Sequence, residues 1–273
     1  MTGHEGATMP TAQDLDLRVK AARRIAEEAA AVGLRYFRDG AGLSVTAKGV
    51  QDIVSNADRD IESLVRGRLA AAFPGDAFLG EESGRGDGAD PGSGVWVVDP
   101  IDGTDNFVRG IAGWCVSIAY VVGREIEIGV ICDPLAGELY LARRGAGATM
   151  NGVPLAPRRV SGFQEGIVGM GYSLRRPPEP TLKVFAGLLA AQGMYQRTGS
   201  GALMIAYVAS GRYIGYFEAH INAWDCLAGV ALVRESGGWA SDFLAGNGLH
   251  SGNPLAAAAP GLEDAMRRLT GLQ

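Results

Sequence analysis

The stretch Trp96-Val97-Val98-Asp99-Pro100-Ile101-Asp102-Gly103-Thr104-Asp105-Asn106-Phe107 sets two carboxylates three residues apart at the end of an apolar run. Carboxylates on a tight turn are the hard oxygen ligands that Mg²⁺ favours, and one of them could bridge two ions. Pro100 fixes the exit angle from the run. Gly103 permits a close backbone approach. Thr104 can hold a water and cap the helical turn that follows. A helix opening at Gly103-Thr104 would turn N–H groups toward a phosphate. A solvated, capped turn accounts for an isolated Asp-x-x-Asp equally well. It accounts less well for an Asp that ends an apolar strand and runs into Pro-Ile-Asp-Gly-Thr.

Further acids stand elsewhere. Leu79-Gly80-Glu81-Glu82-Ser83 follows a short apolar segment, Asp58 lies in the first turn of an expected helix, and Trp224-Asp225 opens another. Taken singly, these read as a surface Glu pair and two helix-dipole charges. No Ser-His-Asp or Cys-His set is required. The three histidines are His4 in an N-terminal tail, His250 in a loop and His220 near Glu218, which could touch a ligand but is read first as packed or surface-facing. Cys115, Cys132 and Cys226 form no CxxC pair, so they read as small buried residues in a reducing compartment.

The elements that would hold these residues follow from periodicity. Residues 1–12 read as a mobile tail. Val19, Ala22, Ile25, Ala26 and Ala29 predict a helix after Asp14 that ends near Asp39-Gly40. Ser55 to Asp58 resembles a capping box opening a second helix, which Pro74-Gly75 stops. Strands are expected at 95–98, 115–122, 125–132 and 137–143, joined by short turns as an antiparallel meander, with a tight turn at Asn151-Gly152. Residues 175–180 read as a linker or exposed loop. Helices near 181–192, 200–210, 224–236 and 261–270 follow, with strands up to Arg197, near 212–219 and up to about 259. Helices and strands alternate in blocks, which fits α+β layers better than a doubly wound sheet.

Composition bounds the function. With 273 residues, 47% hydrophobic and 20% charged, the chain can bury a sizeable core and is not a disordered one. Its formal net charge of -5 does not indicate nucleic acid as a partner. The N-terminus lacks a basic and an apolar region, so no secretory signal is read. The uncharged runs at 110–123 and 243–262 are too short, or too rich in Asn, Pro and Gly, to span a bilayer. The expectation is a cytoplasmic protein.

Four segments in order resemble the inositol monophosphatase family of Mg²⁺-dependent, lithium-sensitive phosphatases. They are Asp52 to Asp58 with Glu62, Gly80 to Ser83, Trp96 to Phe107, and Trp224-Asp225 through Glu235-Ser236-Gly237-Gly238. The resemblance implies an α+β fold, the layered αβαβα sandwich of the sugar phosphatases. Residues 13–150 would form a metal-binding part and 151–273 a second part that completes the site. By matching position, Glu81, Asp99 and the Ile101 carbonyl hold one Mg²⁺. Asp99, Asp102 and Asp225 hold a second, and a weaker third sits near Glu81. Asp58 and Thr104, with Glu81, handle the attacking water. Asp102, Gly103, Thr104, Gly199, Ser200, Gly201, Glu218 and Asp225 contact substrate.

The implied activity is hydrolysis of a small polyol phosphate, foremost myo-inositol 1-phosphate, by metal-activated water, in a homodimer. Histidinol phosphate, fructose 1,6-bisphosphate and 3′-phosphoadenosine nucleotides are alternative substrates in the same superfamily. A regulatory module of the transcription machinery is the alternative of another class. Asp105 departs from the family pattern and is expected to face away or pair with Arg109. Ser200 and Gly201 replace Thr and Ala of the animal inositol enzymes, which would enlarge the leaving-group pocket.

Overall fold

The computed structural model describes residues 10–40, 43–49, 52–85 and 93–273. Thr11 caps α1 (Ala12–Asp39): its hydroxyl accepts the Asp14 N–H, while the Asp14 carboxylate accepts the Thr11 N–H. The expected tail therefore ends sooner than Ala12, and residues 1–9 lie outside the described residues. Gly40, at φ 57°, ends the helix. The hairpin β1 (Val45–Gly49) and β2 (Asp52–Ser55) was not anticipated, and it leads into α2 (Asn56–Ala72) through the expected Ser55–Asp58 capping box.

Next come β3 (Ala77–Gly80), β4 (Gly84–Arg85), β5 (Val95–Asp102) and the short α3 (Thr104–Val108). The meander β6 (Cys115–Val122), β7 (Glu125–Asp133), β8 (Glu138–Arg143), β9 (Gly147–Met150) and β10 (Val153–Pro154) completes one sheet. Its strand order is β10-β9-β8-β7-β6-β5-β3-β4, antiparallel except for the β3–β5 pair.

The second half holds β11 (Ile167–Met170), α4 (Glu179–Ala190), β12 (Met194–Gln196), α5 (Gly201–Ala209), β13 (Gly215–Ile221), α6 (Ala223–Glu235), β14 (Trp239–Ala240), α7 (Gly248–Ser251), β15 (Asn253–Ala258) and α8 (Glu263–Thr270). Its five strands order as β12-β11-β13-β15-β14. Strand β11, central to this sheet's parallel pairing, was missed: four residues after Gly166 are too short to show a period. His250 falls in α7 rather than in a loop.

Three apolar clusters define the layers. Trp96, Val98, Ile118 and Tyr120 face α1 and α2. Val97, Ala119 and Ile131 face α5 and α6. Val168, Phe217 and Ala256 face α4 and α8. The result is the five-layer αβαβα order. Helices α5 and α6 are pressed between two sheets, so they are apolar around nearly their whole circumference, as a helix buried on all sides must be. Every residue of β6 is buried for the same reason, which is why it reads as a continuous apolar run. No helix among the described residues is long and apolar enough to cross a membrane.

Candidate metal centre

In a regular strand, residues three apart face opposite sides. Asp99 pairs with Ser117 and Asp102 with Cys115, so β5 carries one residue more than β6 between these pairs. This bulge turns both carboxylates toward the same face, and Pro100, which has no N–H to donate, sits within it. The Ile101 N–H donates to Asp99 Oδ1 at 2.9 Å. The third carboxylate comes from the middle helical layer. Asp225 lies in the first turn of α6, and the Asn222 backbone and side-chain N–H groups both donate to its Oδ2 at 3.1 Å. Asp99, Asp102 and Asp225 each offer an oxygen atom, all within 4.8 Å of one another.

Asp102 is held from the second half of the chain. Its Oδ2 accepts the Ser200 hydroxyl at 2.5 Å and the Ala202 N–H at 2.7 Å. Asp58, fully buried, accepts the Ser55 N–H at 2.8 Å and the Ser55 hydroxyl at 2.6 Å on Oδ2. Its Oδ1 lies 3.3 Å from the Thr104 hydroxyl, which also reaches the Ile101 carbonyl at 2.9 Å. Glu81 sits on the turn between β3 and β4. The buried Glu62 of α2 fixes that turn by accepting the Glu82 and Ser83 N–H groups at 2.8 and 2.9 Å.

A cleft of about 490 Å³ opens over these groups. Glu81, Asp102, Gly103, Thr104, Gly199, Gly201, Glu218 and Asp225 line it. Asp58, Asp99, Ile101 and Ser200 are buried and do not appear in its wall. Of the two small residues expected to enlarge the leaving-group pocket, Gly201 lies in the cleft wall, whereas the Ser200 hydroxyl turns back onto Asp102. Asp105 lines the rim and pairs with Arg109 at 3.0 Å, one of the two arrangements expected for it.

Sequence reasoning missed the cleft's far wall: the loop from Gly171 to Arg175, Arg197, and the wall residues Met204 and Asn222. The loop's Arg-Arg-Pro-Pro signature marked exposure but gave no sign of what it faces. His220 is buried, as its packed reading had it, yet it also stands where a ligand could reach it. It lines the cleft while its Nε2 donates to the Ser251 carbonyl at 2.9 Å.

Electrostatics show what the cluster is suited to hold. Burial, then the charges of Glu81, Asp102 and Asp225, push Asp99 well above the ordinary carboxylate range. Burial and then Asp225 push Asp102 up to about 7, against the hydrogen bonds from Ser200 and Ala202. Burial raises Asp225 too, opposed by its bonds with Asp99 and Asn222 and by the Arg175 charge. Three acceptor-only groups this close resist full ionisation unless a cation joins them. Buried oxygen ligands of this kind fit a hard divalent ion.

Fold and site together define a layered α+β protein with a carboxylate cluster suited to hard cations at a cleft sized for a small ligand. The family model described as inositol monophosphatase family matches residues 14–270, and the chain belongs to that family. The family is Mg²⁺-dependent and acts on phosphate monoesters. Among curated relatives, the Nus factor SuhB of Haemophilus influenzae is 36% identical, over 93% of this chain and 95% of that protein. The inositol-1-monophosphatase of Rhizobium meliloti is 37% identical, over 82% and 83%. Among solved structures, the extragenic suppressor protein suhB from Bartonella henselae superposes with a TM-score of 0.85 at 32% identity, over 92% and 97%.

Proposed function

We propose that this chain is a Mg²⁺-dependent phosphomonoesterase acting on a small polyol phosphate, with myo-inositol 1-phosphate the leading substrate. The observation that carries this reading is the trio Asp99, Asp102 and Asp225, brought from two layers to one cleft floor. In this reading Glu81, Asp99 and the Ile101 carbonyl would hold one Mg²⁺, Asp99, Asp102 and Asp225 would hold another, and Glu81 would help hold a third, weaker one. When bound, the ions supply Lewis acidity and neutralise charge on a phosphoryl group during in-line displacement.

The chain's own groups orient the reactants. The Thr104 hydroxyl lies at the cleft wall and Asp58 directly behind it, so Thr104 accepts a hydrogen bond from the attacking water and passes a proton toward Asp58 Oδ1. Burial raises Asp58 first, against the Ser55 hydrogen bonds, which suits it to take up that proton. The backbone N–H groups of Gly103 and Thr104 face the phosphate, and Gly199 and Gly201 leave room for the leaving group. Glu218 receives the Tyr216 hydroxyl at 2.5 Å, and burial pushes its carboxyl up to about 8. Its place in the cleft wall suits Glu218 to a polyol hydroxyl of the leaving group, or to an ammonium group if the substrate is histidinol phosphate.

The test is phosphate release with Mg²⁺, and with EDTA as control. The panel is inositol 1-phosphate, histidinol phosphate, fructose 1,6-bisphosphate and 3′-phosphoadenosine 5′-phosphate. Mg²⁺-dependent preference for the inositol ester is expected, with Li⁺ inhibiting. Folded, Mg²⁺-loaded protein that releases phosphate from none of them overturns the reading.

Relatives named Nus factor SuhB favour a second reading, in which the chain also joins a transcription complex. Asp99→Asn separates the two: it should end phosphate release while leaving binding to transcription proteins intact.

A further inference from the structure

We propose that Ser200 is a positioning residue for the cation site: its hydroxyl, with the first turn of α5, fixes the Asp102 carboxylate so that Oδ1 alone is left for a divalent ion. The proposal rests on the phosphatase reading and names a device within that site.

The hydrogen bonds around Ser200 tie it to α5 and to Asp102, not to the cleft. It is fully buried, so it offers no atom to a ligand in the cleft. As the N-cap of α5, its Oγ accepts the Leu203 N–H at 3.1 Å. Its single hydroxyl hydrogen goes to Asp102 Oδ2 at 2.5 Å. The Ala202 N–H donates to the same oxygen at 2.7 Å. The Cys115 sulfur lies 3.9 Å from that oxygen and 3.7 Å from Ser200 Oγ. Because the serine hydrogen is already spent, the thiol is the donor in whichever of these weak contacts it makes. Oδ2 is thereby saturated, and cation binding falls to Oδ1.

The segment that carries Ser200 is itself clamped to the first half of the chain. The Asn106 amide donates to the Thr198 carbonyl at 2.7 Å and the Gly113 carbonyl at 2.8 Å. Gly199 has φ 95°, and a Cβ there would sit 2.8 Å from the Asn106 amide nitrogen. Only glycine keeps the chain this close to Asn106, and that closeness delivers Ser200 to Asp102. A ligand carboxylate held in one rotamer loses little freedom when an ion binds. Loss of such a supporting hydrogen bond commonly weakens metal binding about 10–100-fold.

The test compares Ser200→Ala and Ser200→Thr with the wild type in the full chain. Mg²⁺ affinity is measured by calorimetry, thermal stability in EDTA by circular dichroism, and phosphate release at saturating Mg²⁺. The proposal expects Ser200→Ala to weaken Mg²⁺ binding by about 10-fold or more, and Ser200→Thr to restore most of it. Loss of a helix cap alone would lower the melting temperature and leave the Mg²⁺ affinity unchanged. That result overturns the proposal, as does a threonine variant as weak as the alanine one. If Ser200→Ala does not fold, Ser200→Gly carries the same comparison, because glycine is tolerated at an N-cap. Wild type that binds Mg²⁺ but releases no phosphate overturns the phosphatase reading alone. Wild type that binds no Mg²⁺ overturns both.

Discussion

Asp99, Asp102 and Asp225 lie close enough to repel one another in the protein without metal, and Asp99 and Asp102 are buried as well. The cluster thus costs the fold stability when metal is withheld, a common trade at functional sites. Replacing Asp99 by Asn removes one charge and keeps the shape. In EDTA the Asp99→Asn protein should melt at or above the wild-type temperature, a gain of order 1 kcal/mol, while Mg²⁺ should stabilise only the wild type. Thermal melts with and without Mg²⁺ measure both effects. A variant that melts well below wild type in EDTA would show that Asp99 stabilises the fold through its hydrogen bonds instead.

Two devices at the scale of elements bring the site together. The extra residue in β5 turns Asp99 and Asp102 to one side, and the capping box of α6 presents Asp225 to them. The layer beneath depends on close packing of α1. Ala22, Ala26, Ala29, Ala30 and Gly33 form a narrow buried face that lets the helix sit near the sheet. A Cβ on Gly33 would lie 2.7 Å from the Trp114 ring, which is fully buried and cannot swing aside. Helix propensity alone favours Gly33→Ala by about 1 kcal/mol. Overpacking costs about 1–3 kcal/mol, so Gly33→Ala is expected to destabilise on balance. Urea denaturation decides the sign, and a stabilised variant would mean that α1 can shift outward freely.

At the scale of the whole molecule, the two halves are joined away from the cleft as well. Arg212, between α5 and β13, donates to both oxygens of Glu138 on β8, at 2.5 and 2.7 Å, and to the Tyr140 hydroxyl at 3.0 Å. The Arg212 hydrogen bonds hold the Glu138 carboxyl below its ordinary value, and Tyr140 adds to this against partial burial. A depressed folded pKa means the contribution is present above the unfolded value of about 4.3 and is lost as pH falls through the folded one. Glu138→Gln should therefore lower stability at pH 7 by about 1 kcal/mol, a discounted figure because Arg212 is 41% exposed. The deficit should shrink below about pH 4. Urea midpoints across pH 3–7 test this, and a deficit independent of pH would assign the effect to packing. The homodimer implied by the family resemblance is expected to give twice the chain's 28.5 kDa by light scattering.

The sequence alone carried the identity of the acids and most of the elements near them. Asp99-Pro100-Ile101-Asp102-Gly103-Thr104 shows its chemistry locally because oxygen ligands, a fixed turn and a cap lie within six residues. Long periodic segments such as α1 and α2, and the unbroken apolar strands β6 and β7, were legible because burial on one or both faces leaves a repeating pattern. What the sequence could not show was decided by distance along the chain. The roles of Ser200 and Glu62 depend on partners about a hundred and about twenty residues away. Residues 171–175 become a cleft wall only once β11 lies beside β13, and β11 is too short to carry a period. Tertiary structure decided these points because a hydrogen bond or a wall needs two segments in contact, whereas periodicity and capping are written within one.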